Sequence, residues 1–316
     1  MKETTPMRIL VSGSLAYDRI MSFPGSFADH ILPDKIHILN VCFLVDGLEE
    51  KFGGTAGNIA YCLRLLGETP TIVATAGKDF AAYEAWLRHC GLALDGIRRV
   101  NSEFTAGAYI TTDKADNQIT GFNPGAMKHR AEYPVDDCDP ADAFAVLAPG
   151  NLEDMQDFAR RYKAKGIPCM VDPGQNIPAF SGEQLTEMLT GATYLISNDY
   201  ELQLIQNATG LTQAEIVARA GSVITTLGEN GSVIRQGASE IVIPPCPAAE
   251  VKDPTGAGDA FRAGFIKGLS LGKTPAVAAR LGSVSAAYAV EQHGTQEHQF
   301  TWQEFSDRYS AAFGPL

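Results

Sequence analysis

The sequence predicts an α/β fold: a central, mostly parallel sheet with helices on both faces, plus a small β-sheet lid. Three observations predict it. From about residue 143 onward, short apolar runs alternate with helical stretches, the pattern of a parallel sheet buried on both faces. Near the start, Arg8 to Ser14 is a short apolar run ending in small and polar residues, a buried strand whose carboxyl end opens onto a site. Two segments, 19–50 and 104–125, interrupt the alternation with strand-like runs and no long helical period.

Taken in order, residues 1–6 are polar and read as a disordered extension. The start, Met1 to Met7, leads straight into the first strand and has no signal-peptide pattern. Asp18 follows just beyond that strand. The stretch 19–50 carries Pro24, Gly25 and Pro33 among strand-like runs. Thr55 to Leu66 is helical, with Ile59, Cys62, Leu63 and Leu66 on one face and Gly67 ending it. Thr71 to Ala76 is a strand and Phe80 to Cys90 a helix. Two alternating segments around Lys114 to Asp116 form a β-hairpin. Strands then fall at 143–148, 167–171, 193–197 and 222–227, with helices at 153–165, 183–190, 199–208 and 212–220. Gly231 to Ile243 forms a hairpin, and helices at 257–271 and 274–291 follow. Residues 7–18, 51–103 and 126–316 thus make the core, and 19–50 with 104–125 associate as one small lid sheet.

The 316 residues suffice for one large α/β domain with an appendage. Lys and Arg number 25 against 37 Asp and Glu, a net charge of −12. That balance argues against nucleic-acid or anionic-membrane partners and leaves room for a small anionic ligand. No apolar run reaches the ~18–20 residues of a membrane span, so the expected location is the cytoplasm. Cys42, Cys62, Cys90, Cys138, Cys169 and Cys246 show no Cys-x-x-Cys or zinc spacing and read as reduced, mostly buried thiols. His293 and His298 flank a polar segment and read as surface residues.

The chemistry concentrates in Asp253-Pro254-Thr255-Gly256-Ala257-Gly258-Asp259-Ala260-Phe261, a turn of small residues before an apolar helical run. Gly256 and Gly258 lack a Cβ, so the backbone can turn its N–H groups outward and approach a ligand closely. The first turn of a helix adds unpaired donors and partial positive charge, and the combination binds a phosphate-like anion. A carboxylate beside that anion is costly, which makes sense if Asp259 handles a substrate hydroxyl. The stretch then reads as a phosphoryl-transfer site: the turn holds the moving group, and Asp259 accepts the proton of the attacking alcohol. An ordinary helix start with an acidic first-turn residue is the plainer alternative.

Other motifs are less specific. Gly53-Gly54-Thr55-Ala56-Gly57-Asn58 also sets glycines before a helix. Close approach to a ligand, with Asn58 bonding a sugar hydroxyl, stands level with a simple loop and N-cap. Asn198 and Glu201, three apart at a helix start, can reach one site and hold magnesium through water; in isolation a capping pair is favoured. Thr226 to Gly231 either cradles a nucleotide or makes a tight turn. Gly268 to Thr274 has three residues between its glycines where a P-loop has four. No GxGxxG follows the first strand, so a dinucleotide site is not supported.

These elements, in this order, resemble the ribokinase-like (PfkB) family of sugar and nucleoside kinases from about residue 7 to the end. GGTAGN matches the family's N-terminal signature, and DPTGAGDAF matches its C-terminal signature without departure. Four segments, FPGSFADHILPDKIHILNVCFLVD, ITTDKADNQITGFNPGAM, LISNDYELQLI and GDAFRAGF, are similar to bacterial adenosine kinases, including the actinobacterial type. The resemblance implies a ribokinase-like fold and ATP-dependent phosphorylation of the adenosine 5′-hydroxyl to AMP, a purine-salvage step. A sugar kinase or a broader nucleoside kinase is the alternative within the family. A nucleoside-binding protein without turnover is the alternative outside it, and the complete turn with Asp259 speaks against that.

The resemblance also implies roles for single residues. Asp259 is the catalytic base, and the backbone of Gly256, Ala257 and Gly258 is the anion hole. Asp18 binds the ribose 2′- and 3′-hydroxyls, with Gly54 and Asn58 supporting the sugar. Ser14 lies under the base, Phe122 stacks on it from the lid, and Gln175 lies near the substrate. Asn198 and Glu201 organise Mg2+ and phosphate, Glu201 through water. Thr226, Gly228 and Gly231 line the ATP site, and a monovalent cation such as K+ binds near Asp253. A homodimer through the lid sheets is expected, because exposed sheet edges gain by pairing. Three positions depart from the pattern. Ala108, beside Tyr109, stands where related adenosine kinases have phenylalanine. Asn176 stands where relatives can carry Gln. Ala16 stands where ribokinases have Asn, which counts against free ribose.

Overall fold

β1 (Arg8–Ser12) passes through Gly13, Ser14 and Leu15 into β2 (Ala16–Ser22), and β3 (Gly47–Gly53) returns to α1 (Thr55–Leu65). β4 (Thr71–Ala76), α2 (Ala81–His89) and β5 (Ile97–Arg99) follow, then the hairpin β6 (Ala106–Thr112) and β7 (Gln118–Asn123). The alternating half comprises β8 (Ala143–Leu147), α3 (Leu152–Lys165), β9 (Cys169–Val171), α4 (Gly182–Leu189) and β10 (Tyr194–Asn198). It continues with α5 (Asp199–Thr209), α6 (Gln213–Arg219), β11 (Ser222–Thr226) and the hairpin β12 (Ser232–Gln236) and β13 (Ser239–Ile243). Three helices close the chain: α7 (Ala257–Ser270), α8 (Pro275–Val290) and α9 (Trp302–Phe313). This computed structural model describes residues 7–38 and 40–316, so the expected extension at 1–6 lies outside the described residues.

The large sheet has the order β13-β12-β11-β10-β9-β8-β1-β4-β5. From β11 to β5 every pair is parallel, and only β12 and β13 run antiparallel. The apolar runs of its strands alternate between two helical layers. Ile9 and Val11 of β1, Phe144 and Val146 of β8, and Ile196 of β10 join the layer of α1, α2, α7, α8 and α9. Leu10, Ala145, Leu147 and Leu195 join the layer of α3 to α6. Both faces are therefore dry, which is why these strands read as continuous apolar runs. β1 stands between β8 and β4, so the strand order reverses there, and the crevice outside the carboxyl ends at that point is where such sheets bind ligands.

The lid is a four-stranded sheet, β3-β2-β6-β7. Its strands reach further than expected. β2 starts at Ala16 and β3 ends at Gly53, so Asp18 and residues 51–53 belong to the lid sheet, not to the core. β5 and α9 were not anticipated. His298, expected at the surface, is 2% exposed, with its ring edge-on to Tyr61, and burial pushes its pKa down to about 4. Cys62, Cys138, Cys169 and Cys246 are buried, Cys90 is half-buried and Cys42 is exposed; none is paired. Among the described residues no helix is long and apolar enough to cross a membrane.

Candidate active site

The carboxyl ends of β1, β8, β9, β10 and β11 converge with the start of α7. Gly256 caps that helix at φ 78°, a left-handed conformation costly for a residue with a Cβ. A side chain there would also run into Thr295, at 2.9 Å. Ala257 and Gly258 open the helix and Asp259 completes its first turn, so the backbone donors and the carboxylate share one helix tip. A Cβ on Gly258 would come within 2.7 Å of Arg262 Nη1, so the guanidinium lies directly behind the turn.

Asp259 is half-buried. Its Oδ2 accepts a hydrogen bond from Asn58 Nδ2 at 2.9 Å. Burial pushes its pKa up to about 6, against the Arg262 charge and the Asn58 donor, with Asp172 and Glu201 adding to the rise. Arg262, one turn on, is itself buried and pairs with Asp172 at the end of β9, Nε to Oδ2 2.5 Å. Burial works against its charge, but Asp172, Asp259 and Glu201 outweigh that and hold it protonated. A cation three residues along the helix face therefore keeps Asp259 from rising further.

The Gly53–Asn58 segment joins the lid to this centre. Gly54 has φ 88°, and a Cβ there would sit 2.6 Å from Ser14 O. Ser14 Oγ accepts the Thr55 amide at 3.0 Å and Thr55 Oγ1 donates to Pro149 O at 2.8 Å. The Ser14 hydroxyl thus ties β1 to the start of α1. Both ends of the Asn58 amide are engaged by protein groups: Nδ2 by Asp259, and Oδ1 by Gln296 Nε2 at 3.1 Å. A Cβ on Gly53 would lie 2.6 Å from Asp18 Oδ2. Burial, and then the nearby Asp253, raise the Asp18 pKa to about 6.

The lid register sets Asp18 opposite Lys51 and Ala108, and Ala108 opposite Phe122. Residues paired in this way project from one face. Asp18 and Phe122 therefore share a face two strands apart, roughly 10 Å, with only the methyl of Ala108 between them. Phe122 is exposed.

Thr226, Gly228 and Gly231 meet Ala257 and Gly258 across a cleft of about 610 Å3, walled by Pro245, Val251, Ala287 and Val290. Asn198 and Glu201 form a capping box: Glu201 N donates to Asn198 Oδ1 at 2.7 Å, and Asn198 N to Glu201 Oε2 at 2.8 Å. The cap and a water-mediated metal role are compatible, because a carboxylate offers more acceptor sites than the cap uses. Among the described residues no group of three His, Cys, Asp or Glu is placed to hold a metal, so any Mg2+ would depend on one or two carboxylates, phosphates and water. Asp253 accepts the amides of Thr255 at 2.9 Å and Gly294 at 3.0 Å. Burial would raise its pKa, but those donors outweigh it and hold the carboxyl below its usual range. Gln175 is exposed on the short turn Gly174–Ala179, which follows Asp172 directly after Pro173.

Several site residues had not been singled out: Arg262, Asp172, Tyr83, Trp86, Gln296 and the α8 wall of the cleft. Arg262 had a local signal, lying three positions beyond Asp259 on the same helix face. The others come from distant segments and have none.

A family model for pfkB family carbohydrate kinases matches residues 21–302, and the chain belongs to that family. A nucleoside kinase of Methanocaldococcus jannaschii is 30% identical over 85% of this chain and 89% of its own. The structure of Burkholderia thailandensis nucleoside kinase in complex with inosine superposes with a TM-score of 0.84 at 37% identity, covering 97% of this chain and 98% of that one. The M. jannaschii nucleoside kinase structure gives the same TM-score, 0.84, at 28% identity and covers 98% of this chain and 100% of its own.

Proposed function

We propose that this protein is a nucleoside kinase that transfers the γ-phosphoryl group of ATP to the 5′-hydroxyl of a purine nucleoside, adenosine first among them, giving AMP. The observation that carries the reading is the α7 tip. Its Ala257 and Gly258 wall a cleft large enough for a nucleotide, while Asp259 is held from the lid side by Asn58. The spacing of Asp18 and Phe122 on one lid face suits a ribose at the first and a base against the second. The relatives support a nucleoside over a free sugar, and the inosine complex of the Burkholderia enzyme makes inosine the second candidate nucleoside.

The nucleoside oxygen attacks the γ-phosphorus, the bond from phosphorus to the bridging oxygen of ADP breaks, and the hydroxyl proton passes to Asp259. Its second oxygen stays bonded to Asn58. An alcohol is a poor nucleophile, and in a loose transition state a carboxylate is basic enough to receive its proton late. The amides of the α7 tip stabilise the charge on the transferring oxygens. Thr226, Gly228 and Gly231 hold the nucleotide. Ser14, Asp18, Gly54, Asn58, Phe122 and Gln175 surround the nucleoside. Asn198 and Glu201 would hold Mg2+ through water, where it neutralises phosphate charge when bound. Asp253 is the candidate for a monovalent cation.

The test is ADP release from ATP on adding adenosine, inosine, guanosine, cytidine, ribose or fructose. Turnover is expected with adenosine or inosine at kcat/KM at least ~100-fold above ribose, the discrimination a site built around polar contacts can reach. A preference for ribose or fructose would contradict the nucleoside reading. Nucleoside binding without ADP release would contradict the kinase reading.

A further inference from the structure

A chain of buried amides runs from Trp86 to Asp259, and its polarity is determined. Trp86 Nε1 faces Gln296 Oε1 at 2.9 Å. An indole N–H can only donate, so the Gln296 atom facing it must be oxygen. The Gln296 amide nitrogen therefore faces the other way, to Tyr83 Oη at 2.6 Å and Asn58 Oδ1 at 3.1 Å. That nitrogen can only donate, so Asn58 must turn its oxygen toward Gln296 and its own nitrogen toward Asp259 Oδ2, at 2.9 Å. Tyr83, accepting from Gln296, gives its hydrogen to Gly53 O at 2.8 Å, at the root of the lid. Gln296 is 2% exposed and Tyr83 fully buried, so water cannot substitute for a missing partner. Gly57 lacks a Cβ where the Tyr83 hydroxyl passes, which keeps the chain continuous.

We propose that Trp86 and Gln296 are positioning residues that fix the Asn58 amide with its donor toward Asp259, so that one carboxylate oxygen is always occupied and the other is left to take the proton. The consequence follows from elementary electrostatics. A donor on Oδ2 stabilises the ionised, basic form of Asp259, and a carbonyl oxygen in the same place destabilises it. Without the chain, only the Asp259 charge itself favours the donor-inward orientation of Asn58, and it does so only once Asp259 is ionised. The charged and titratable groups around Asp259 are Arg262 on its own helix, Asp172 after β9, Glu201 on α5 and the Cys62 thiol on α1. None of them contacts Gln296 in the hydrogen-bond chain, so the chain can be perturbed separately. The proposal rests on the reading of Asp259 as the base.

The test uses two substitutions in the full-length protein, with kcat measured against pH on the best nucleoside. Gln296→Glu removes the donor facing Asn58, so the Asn58 amide turns its nitrogen away from Asp259. Trp86→Phe removes one of the two groups that set the polarity, the other being the Tyr83 hydroxyl held by Gly53 O, and adds no charge, while keeping a ring in the stack with Phe52 and Tyr61. The acid limb of kcat is expected to move to higher pH, by about one unit in Gln296→Glu and about half a unit in Trp86→Phe. The nucleoside KM should stay within about twofold. A role in packing alone would lower thermal stability and leave the limb in place. An unmoved limb in Trp86→Phe, whether or not Gln296→Glu shifts or folds, would overturn the proposal, because a shift confined to Gln296→Glu is only the effect of an added charge. Asp259→Asn is measured alongside. Normal turnover there would overturn the base assignment itself, whereas an inactive Asp259→Asn with unmoved limbs would overturn the orienting chain alone.

Discussion

The Tyr83 hydroxyl passes through the space where a Cβ on Gly57 would stand, so a single methyl decides whether Gly53 and Gln296 stay joined. Gly57→Ala must displace a fully buried tyrosine. It should cost ~1–3 kcal/mol of stability, as overpacking does, read as a lowered midpoint in urea unfolding. An unchanged midpoint would mean that Tyr83 moves freely. Asp259 supplies the second prediction at this scale. Its carboxyl is raised to about 6, and only the ionised form accepts a proton. Activity should therefore be full above that pH and fall as pH drops through about 6. A kcat profile flat down to pH 4 would contradict it. At this scale the sequence was legible where function and local geometry coincide. The turn Gly256–Asp259 declares itself because left-handed backbone and a helix start both need it. Gln296 has no such signal: its partners Trp86, Tyr83 and Asn58 arrive from α1 and α2 only after folding. His298 was misplaced for the same reason. The residues on either side of it, Glu297 and Gln299, are polar, while Tyr61, the ring it meets edge-on, comes from α1 through the fold.

The start of α5 shows how one pair of residues can be structural and functional together. Asn198 and Glu201 close a capping box, the plainer of the two readings their spacing allowed. Serine is as good a cap as asparagine, so Asn198→Ser should leave thermal stability within about 0.5 kcal/mol. If the pair also organises Mg2+ and phosphate, the same variant should lose ~10-fold in kcat and need more Mg2+ for half-maximal rate. Unchanged kcat and Mg2+ dependence would reduce the pair to a cap. Other elements followed from pattern alone, because local rules decided them. The strand Thr71–Ala76 and the helix start at Thr274, with Pro275 in its first turn, are examples. α9 was missed although Thr301 and Glu304 form the same kind of capping box. Its buried face is only Phe305 and Tyr309, too sparse a stripe to stand out among polar residues.

Across the whole molecule, the lid and the core meet at the glycines before α1. The face carrying Asp18 and Phe122 is one side of the lid. The other side carries the row Leu48, Met21, Thr111 and Ile119, with Leu48 63% and Ile119 45% exposed on the two edge strands. A row with three apolar residues out of four, running between open edges, is a pairing surface. A homodimer through this lid face is expected by sedimentation, and Leu48→Lys combined with Ile119→Lys should yield monomers; a wild-type monomer at micromolar concentration would contradict it. The sheet order, with its reversal at β1, was legible as a class because alternating apolar and helical runs dictate a doubly covered parallel sheet. The crossing of Asp18 into the lid was not, because a strand that ends at Ser12 and resumes at Ala16 has no punctuation beyond Gly13.

The measurement closest to the centre of this account is the single-turnover rate of ADP formation by Asp259→Asn with saturating ATP and adenosine, set beside adenosine binding by the same variant. The rate should fall at least ~100-fold while affinity changes little, the mark of a general base whose contribution arises in the transition state. A variant that turns over at close to the wild-type rate, or one that loses its rate only because adenosine no longer binds, would contradict the account.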